Sequence, residues 1–299
     1  MILKKRIFEW FFVILELSKF RIALLVSMSA ATGYILASGY IDYNLLLPTI
    51  AVFILASGSS ALNHYQERDF DRLMKRTSKR PVPSGKVSPA SALTVAIGLI
   101  IIGSIILYRS SNTTALILAL ITVFWYNAVY TPLKRMTPLA VIPGALIGSL
   151  PPAIGWTAAG GYILDPMILL VALFFFVWQI PHFWLLLLKF GDEYELAGYP
   201  TLTSRYSNQR IARFTFVWIL ITTIVSMFIP IFGDHRSLTI YAGLFLSGVW
   251  LLISSRKLLN FNDDITLLKS TFADINTYVF MVMALLTIDC ISGFCVLNL

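Results

Sequence analysis

Residues 45–66 read LLLPTIAVFILASGSSALNHYQ, and Glu67-Arg-Asp69-Phe-Asp71 follow at once. The first stretch is apolar over the length a helix needs to cross about 30 Å of hydrocarbon. Lipid offers the backbone no hydrogen-bond partner, so such a segment must be helical. Comparable runs lie near 21–38, 89–108, 113–131, 138–157, 166–188, 211–232, 237–255 and 273–297. The expected fold is therefore all-α: a polytopic membrane protein of about nine transmembrane helices. Residues 1–299 form a single membrane domain in this reading, because no polar stretch is long enough to fold separately. Composition agrees, with 58% hydrophobic and 13% charged residues, against about a quarter charged in soluble chains.

The net charge of +8 would suggest nucleic acid in a soluble protein, but a membrane accounts for it better, and no nucleic-acid partner is expected. Basic residues flank spans on the cytoplasmic side. Of the 23 Lys and Arg, 21 fall in the N-terminal segment and in the second-to-third, fourth-to-fifth, sixth-to-seventh and eighth-to-ninth connections; only Arg109 and Arg236 lie opposite. That alternation puts the N-terminus in the cytoplasm and the C-terminus across the membrane. Lys4, Lys5 and Arg6 precede an apolar stretch that Glu9 and Glu16 interrupt, without a small-residue cleavage site. An amphipathic interfacial helix fits this better than a cleaved leader. Cys290 and Cys295, both in the last apolar run, provide neither a disulfide framework nor a zinc spacing. Packing is their expected role.

The loop after span two carries the first chemical signal. Asn63, Glu67 and Asp71 are spaced i, i+4, i+8, so on a continuing helix they share one face while Asp69 points elsewhere. Carboxylates one turn apart repel unless a cation sits between them. Magnesium takes one or two carboxylates and fills its other positions with water and phosphates. Arg72, Lys75, Arg76, Lys79 and Arg80 follow directly, a supply of phosphate donors. Span six ends similarly, in Lys189-Phe-Gly-Asp192-Glu193-Tyr194-Glu195. Two acidic clusters on the inner face with basic loops between them point to a diphosphate–magnesium site, against the blander reading of solvated ion pairs. Within the spans, Trp178-Gln-Ile-Pro181-His182-Phe-Trp184 and Trp125-Tyr126-Asn127…Tyr130 are functional candidates. They read equally as packing and as an interfacial aromatic belt.

Taken together these motifs resemble the UbiA superfamily of intramembrane prenyltransferases, and most closely its branch that farnesylates protoheme IX. The resemblance rests on Ser18-Lys-Phe-Arg21, Asn63 to Asp71, Arg76-Thr-Ser-Lys-Arg80-Pro81 with Gly85, and Tyr130-Thr-Pro-Leu-Lys134-Arg135. Leu150-Pro-Pro-Ala-Ile-Gly155-Trp156, Pro181-His-Phe-Trp184, Asp192-Glu-Tyr194 and Ala197-Gly-Tyr-Pro200 add the heme-branch character. It spans roughly Ser18 to Leu202 and fades after that. Glu67 and Glu193 stand where the family usually has aspartate.

The resemblance implies transfer of farnesyl from farnesyl diphosphate to a vinyl group of protoheme IX, with Mg2+ as cofactor, giving heme O and diphosphate. Asn63, Glu67, Asp71, Asp192 and Glu193 are then the catalytic and metal-holding residues. Arg72, Arg76, Arg80, Tyr130, Lys134 and Arg135 bind the diphosphate, and Asn127, His182 and Trp184 face the acceptor. The setting it implies is the cell inner membrane, with lipid and heme-modifying or oxidase-assembly proteins as partners. An aromatic or quinone acceptor on the same fold is the alternative. A secondary transporter and a non-catalytic heme-binding assembly factor are rivals of other classes.

Overall fold

The computed structural model describes residue 10, residues 12–233 and residues 237–297, with side chains up to residue 293. Lys4, Lys5, Arg6, Arg236 and the Cys295 side chain, and with them the expected N-terminal interfacial helix over its first residues, lie outside the described residues. Among the described residues nine helices are long and apolar enough to cross a membrane. They are α1 (Phe20–Ser38), α2 (Tyr43–Asp71), α3 (Pro89–Ser110), α4 (Thr113–Leu133), α5 (Val141–Ala158), α6 (Pro166–Leu196), α7 (Asn208–Phe232), α8 (Leu238–Asn260) and α9 (Ile265–Gly293).

Local chemistry fixes where the helices begin. Ser88, Asn112, Asp165, Ser207 and Ser237 each accept a hydrogen bond from a backbone N–H of the first turn that follows them. Such caps satisfy donors that no intrahelical carbonyl can reach. Pro89 and Pro166 take first helical positions, where the missing N–H has no cost.

The bundle closes because α9 packs on both α6 and α1, while α2 lies along α3 and α1 crosses α5. That last crossing is unusually close. A Cβ on Gly155 would lie 1.7 Å from the Ala30 carbonyl oxygen, and one on Gly33 would lie 1.9 Å from that of Pro152. Without a hydrophobic drive between helices in lipid, backbone approach over small residues supplies the dispersion contacts that hold them. A larger core around Phe174, Ile219, Leu244, Leu251 and Tyr278 joins α6 to α9. Ile97, Ile101 and Ile105 of α3 point outward, as a lipid-facing stripe should.

The spans agree with the apolar runs, but two helices continue past them. The acids read as a loop after span two are the last helical turns of α2, which runs on to Asp71. Likewise α6 continues to Leu196, with a kink at Phe190 (φ −128°, ψ 15°) that redirects its final turns. Both extensions leave the apolar layer as helix and so deliver carboxylates in fixed register.

Candidate active site

Asn63, Glu67 and Asp71 form a ladder on one face of α2 and are 1%, 4% and 1% exposed. Asp69, off that face, is exposed and lies 3.7 Å from Arg68. Burying two carboxylates is costly unless each is paired, and each is. Arg80 Nη1 donates to both oxygens of Asp71 at 3.0 and 2.8 Å. Glu67 forms an ion pair with Lys134 and accepts a hydrogen bond from the Tyr199 hydroxyl at 3.1 Å. Burial, then the Glu67 charge, push the Tyr199 phenol above its ordinary pKa, so it stays a donor.

Asn63 is held at both ends of its amide. Its Nδ2 donates to Thr131 Oγ1 at 3.1 Å, and its Oδ1 accepts from Lys19 Nζ at 2.9 Å. The same ammonium reaches the Tyr126 hydroxyl at 3.3 Å. Burial of that ammonium, with Arg80's repulsion next, lowers its pKa to about 7.

The end of α4 is shaped for this contact. Trp125–Tyr130 is a wide π-type turn, in which the Thr131 N–H bonds back to the Tyr126 carbonyl. Thr131 Oγ1 donates to the same carbonyl at 2.9 Å, and Pro132, which follows, has no N–H to continue the ordinary ladder. Wide turns of this kind re-aim side chains and cluster at functional sites. Here the turn stacks the Tyr126 and Tyr130 rings 6.1 Å apart, and Tyr130 meets Phe183 at 6.3 Å.

The second acidic segment joins through the basic loop. Glu193 Oε2 accepts from the Arg76 backbone N–H at 3.0 Å. The Arg76 guanidinium donates to the Tyr194 hydroxyl at 3.3 Å and lies 5.0 Å over the Phe190 ring. Asp192 is exposed. Glu195 is committed to the loop after α6, accepting from Thr203 Oγ1 at 2.7 Å.

Other candidates are spent elsewhere. Arg72 Nε donates to the Pro83 carbonyl at 3.3 Å. Arg135 grips the outside of α2, donating to the Gln66 carbonyl at 2.8 Å and covering the Phe70 ring at 4.5 Å. Asn127 ties α4 to α2, with Nδ2 donating to Ser59 Oγ at 2.6 Å. Trp184 packs edge-on against Trp218 at 6.4 Å, among Val141, Ala145, Ile180, Leu202 and Ile211. His182 Nδ1 lies 3.1 Å from Asn276 Oδ1 on α9, with Trp178 and Phe272 against the ring. Asn63, Glu67, Asp71, Arg80, Tyr130 and Lys134 thus converge, with Arg76 and Glu193 tied in from the side. Lys19 and Tyr199 belong to the same cluster without having been singled out as site residues, and Tyr126, read in sequence equally as a functional candidate and as a belt residue, joins them. Lys19 lies inside Ser18-Lys-Phe-Arg21 and Tyr199 inside Ala197-Gly-Tyr-Pro200, motifs that could have flagged both.

Among the described residues no three His, Cys, Asp or Glu side chains gather closely enough to hold a metal ion. The donors available on α2 are nevertheless all oxygen, one amide and two carboxylates on one buried face. That is the chemistry of a hard cation that keeps some of its water or takes phosphate oxygens, so the residues fit magnesium.

The model of the UbiA prenyltransferase family matches residues 25–266. The chain belongs to the UbiA prenyltransferase family. This UbiA member is 41% identical over 213 residues to a protoheme IX farnesyltransferase of Geobacter sulfurreducens, covering 71% of this chain and 78% of the relative. It is 31% identical over 274 residues to one of Oleidesulfovibrio alaskensis, covering 92% and 95%. Its fold is shared with two solved structures. Digeranylgeranylglyceryl phosphate synthase superposes with a TM-score of 0.76 at 17% identity, over 95% of this chain and 99% of that one. A UbiA homolog from Archaeoglobus fulgidus bound to GPP and Mg2+ gives 0.64 at 13%, over 92% and 99%.

Proposed function

We propose that this UbiA member transfers the farnesyl group of farnesyl diphosphate to a vinyl group of protoheme IX, releasing diphosphate and forming heme O. The observation that carries the reaction class is the buried ladder of Asn63, Glu67 and Asp71 faced by Arg80 and Lys134. Similarity to the protoheme IX farnesyltransferases supports the acceptor and the tail.

In this reaction the bond between C1 of the farnesyl chain and the diphosphate oxygen breaks, both electrons leaving with the oxygen. Arg76, Arg80 and Lys134 donate to the departing diphosphate, fixed charge aimed where negative charge develops. Asn63, Glu67 and Asp71, with Asp192 and Glu193 from α6, are the residues that would hold magnesium, which when bound would supply Lewis-acid neutralisation of the same group. The stacked faces of Tyr126 and Tyr130, with Phe183 beside them, stabilise the allylic cation by cation–π attraction. The vinyl group then gives its π electrons to C1, and the porphyrin-conjugated cation takes a water that loses a proton, leaving the hydroxyethyl group. His182 is the acceptor-side residue of this scheme: Asn276 holds Nδ1, which leaves Nε2 for the porphyrin. Asn127 and Trp184 support it through packing.

The protein acts as one domain of the cytoplasmic membrane, with the basic loops, the site and the N-terminus on the cytoplasmic side. Mass spectrometry of the heme pool, in a host lacking its own heme farnesylation, tests the proposal. Heme O should form only when this chain is expressed. A prenylated aromatic product without heme O would overturn the acceptor.

A further inference from the structure

We propose, resting on the acceptor reading above, that Lys189 on α6 and Lys269 on α9 bind the two propionate carboxylates of the porphyrin, at the cytoplasmic end of the groove between these helices.

Register brings the two lysines together. α6 and α9 pack against each other and, three spans apart in chain order, run in opposite directions. His182 Nδ1 lies 3.1 Å from Asn276 Oδ1, which puts residues 182 and 276 at one level. Lys189 stands seven residues after His182, and Lys269 seven residues before Asn276. Seven residues are close to two full turns, about 10.5 Å of helix. Each lysine therefore shares a helix face with the residue that marks the groove, and the two reach one level from opposite walls. The helices stay in contact there, because Leu185 and Leu188 of α6 join the same apolar cluster as Leu267 and Leu268 of α9.

Neither ammonium is engaged by a carboxylate. Among the described residues the ion pairs join Arg68 to Asp69, Arg80 to Asp71 and Lys134 to Glu67. The kink at Phe190 redirects the turns that carry Asp192 and Glu193, and Lys189 Nζ lies 4.8 Å over the Phe190 ring instead. Topology asks only that these charges stay on the cytoplasmic side; it does not ask that they align with His182 and Asn276.

The groove between the lysines and His182 matches a porphyrin in its order of chemistry. Asn276 Nδ2 donates to the Phe272 carbonyl at 2.5 Å, so its Oδ1 is the acceptor and His182 Nδ1 carries the proton. Nε2 keeps its lone pair at the deeper end. The intervening turn presents Leu186 on α6 and Phe272 and Ala273 on α9, none of them buried. A polar nitrogen, an apolar turn and two cations about 10.5 Å away thus follow one another. A porphyrin carries two carboxylates side by side on one edge, about that far from its centre, with apolar ring between. An interfacial lysine lays its stem along apolar surface and keeps its charge at the boundary, where the carboxylates of a lipid-embedded ring emerge. The vinyl groups lie on the opposite edge of the ring. Propionates at Lys189 and Lys269 therefore direct the vinyl edge into the membrane, toward the depth of Phe183, whose ring meets those of His182 at 5.7 Å and Tyr130 at 6.3 Å.

Protoheme IX and its dimethyl ester, which keeps the ring and vinyl groups but carries no carboxylate charge, are the probes. Both are titrated by Soret absorbance into the full-length protein in nanodiscs, with empty nanodiscs as the blank. Wild type should bind the diacid about 10- to 100-fold more tightly than the ester. Lys189→Met and Lys269→Met should each weaken diacid binding about 3- to 10-fold and leave ester binding unchanged, while the arginine variants recover most of the loss. The double Met variant should no longer distinguish acid from ester. Calorimetric binding of farnesyl thiodiphosphate with Mg2+ should keep its wild-type value throughout, which a general folding defect would not allow. The double Gln variant serves if the double Met variant does not fold. Equal wild-type affinity for diacid and ester would overturn the proposal, as would wild-type discrimination in a folded double variant. Parallel loss of thiodiphosphate binding in both double variants would overturn it too. A wild type that binds the thiodiphosphate but neither porphyrin would instead sink the acceptor reading itself.

Discussion

Replacing Glu67 by aspartate draws the carboxylate back by about 1.5 Å, one carbon–carbon bond. The Tyr199 hydroxyl, 3.1 Å from Glu67 Oε1, then lies beyond hydrogen-bond reach. A hydrogen bond to a charged group contributes about 1.5–3 kcal/mol, equivalent to roughly 10- to 150-fold in a rate or affinity. Lys134 sits on a flexible stem and can follow the shorter acid; Tyr199, anchored against Phe70 and Tyr194, cannot. Tyr199→Phe removes the same bond from the other side and leaves the buried carboxylate one donor short. The two substitutions should therefore not add. Each alone is expected to lower kcat/KM for farnesyl diphosphate within that range and to lower the thermal midpoint. The double variant should be no worse than Glu67→Asp. Multiplicative losses in the double variant would show that the two groups act independently and would refute the account of Glu67's length.

Asp71→Asn should reduce turnover at least about 100-fold, because Arg80 loses the partner that holds it and an oxygen donor is lost from the ladder; a steady-state assay of heme O formation measures this, and near-normal turnover would count against the site. Chelation with EDTA should abolish product formation, and added Mg2+ should restore it; unchanged turnover in chelator would contradict the reading of the ladder. Gly155→Ala must push α1 away from α5, since its new Cβ meets the Ala30 carbonyl at 1.7 Å. A stability loss of about 1–3 kcal/mol or more is expected, read as a lower thermal midpoint in nanodiscs. Trp184→Phe should lower that midpoint while leaving KM for both substrates within about twofold, because the indole lies in the packed core by Trp218.

The spans were legible because lipid leaves an apolar segment few choices; the caps that start two of them, Ser88 before Pro89 and Asp165 before Pro166, came from the structure. The α2 ladder was legible for the same reason: once residues 45–66 are helix, Asn63, Glu67 and Asp71 can only share a face. The division of labour among the basic residues was not. Arg72, Arg80, Lys134 and Arg135 look equivalent in sequence, and only the turn of the loops separates Arg80 and Lys134, which meet carboxylates, from Arg72 and Arg135, which bind backbone carbonyls. Lys19 was hidden differently. It stands inside Ser18-Lys-Phe-Arg21, but nothing in that stretch announces a left-handed backbone or an inward-turned ammonium. Tyr199 acts on a residue 132 positions earlier, a distance over which periodicity is silent.

The two glutamates that depart from the family's usual aspartate share a physical role. Glu67 leaves α2 to meet Lys134, just past α4, and Tyr199, in the loop after α6. Glu193 leaves α6 to meet the backbone N–H of Arg76, in the loop after α2. Each longer acid therefore bridges from its own helix to a neighbouring connection, and between them they reach the α2–α3, α4–α5 and α6–α7 connections. An aspartate at either position, without movement of the backbone, would stop short of that bridge. The extra methylene moves the carboxylate outward, and the loops around this site are set to receive it there. Glutamate at these positions is thus compatible with the proposed diphosphate site because its partners, Tyr199 and the Arg76 amide, stand at the matching distance.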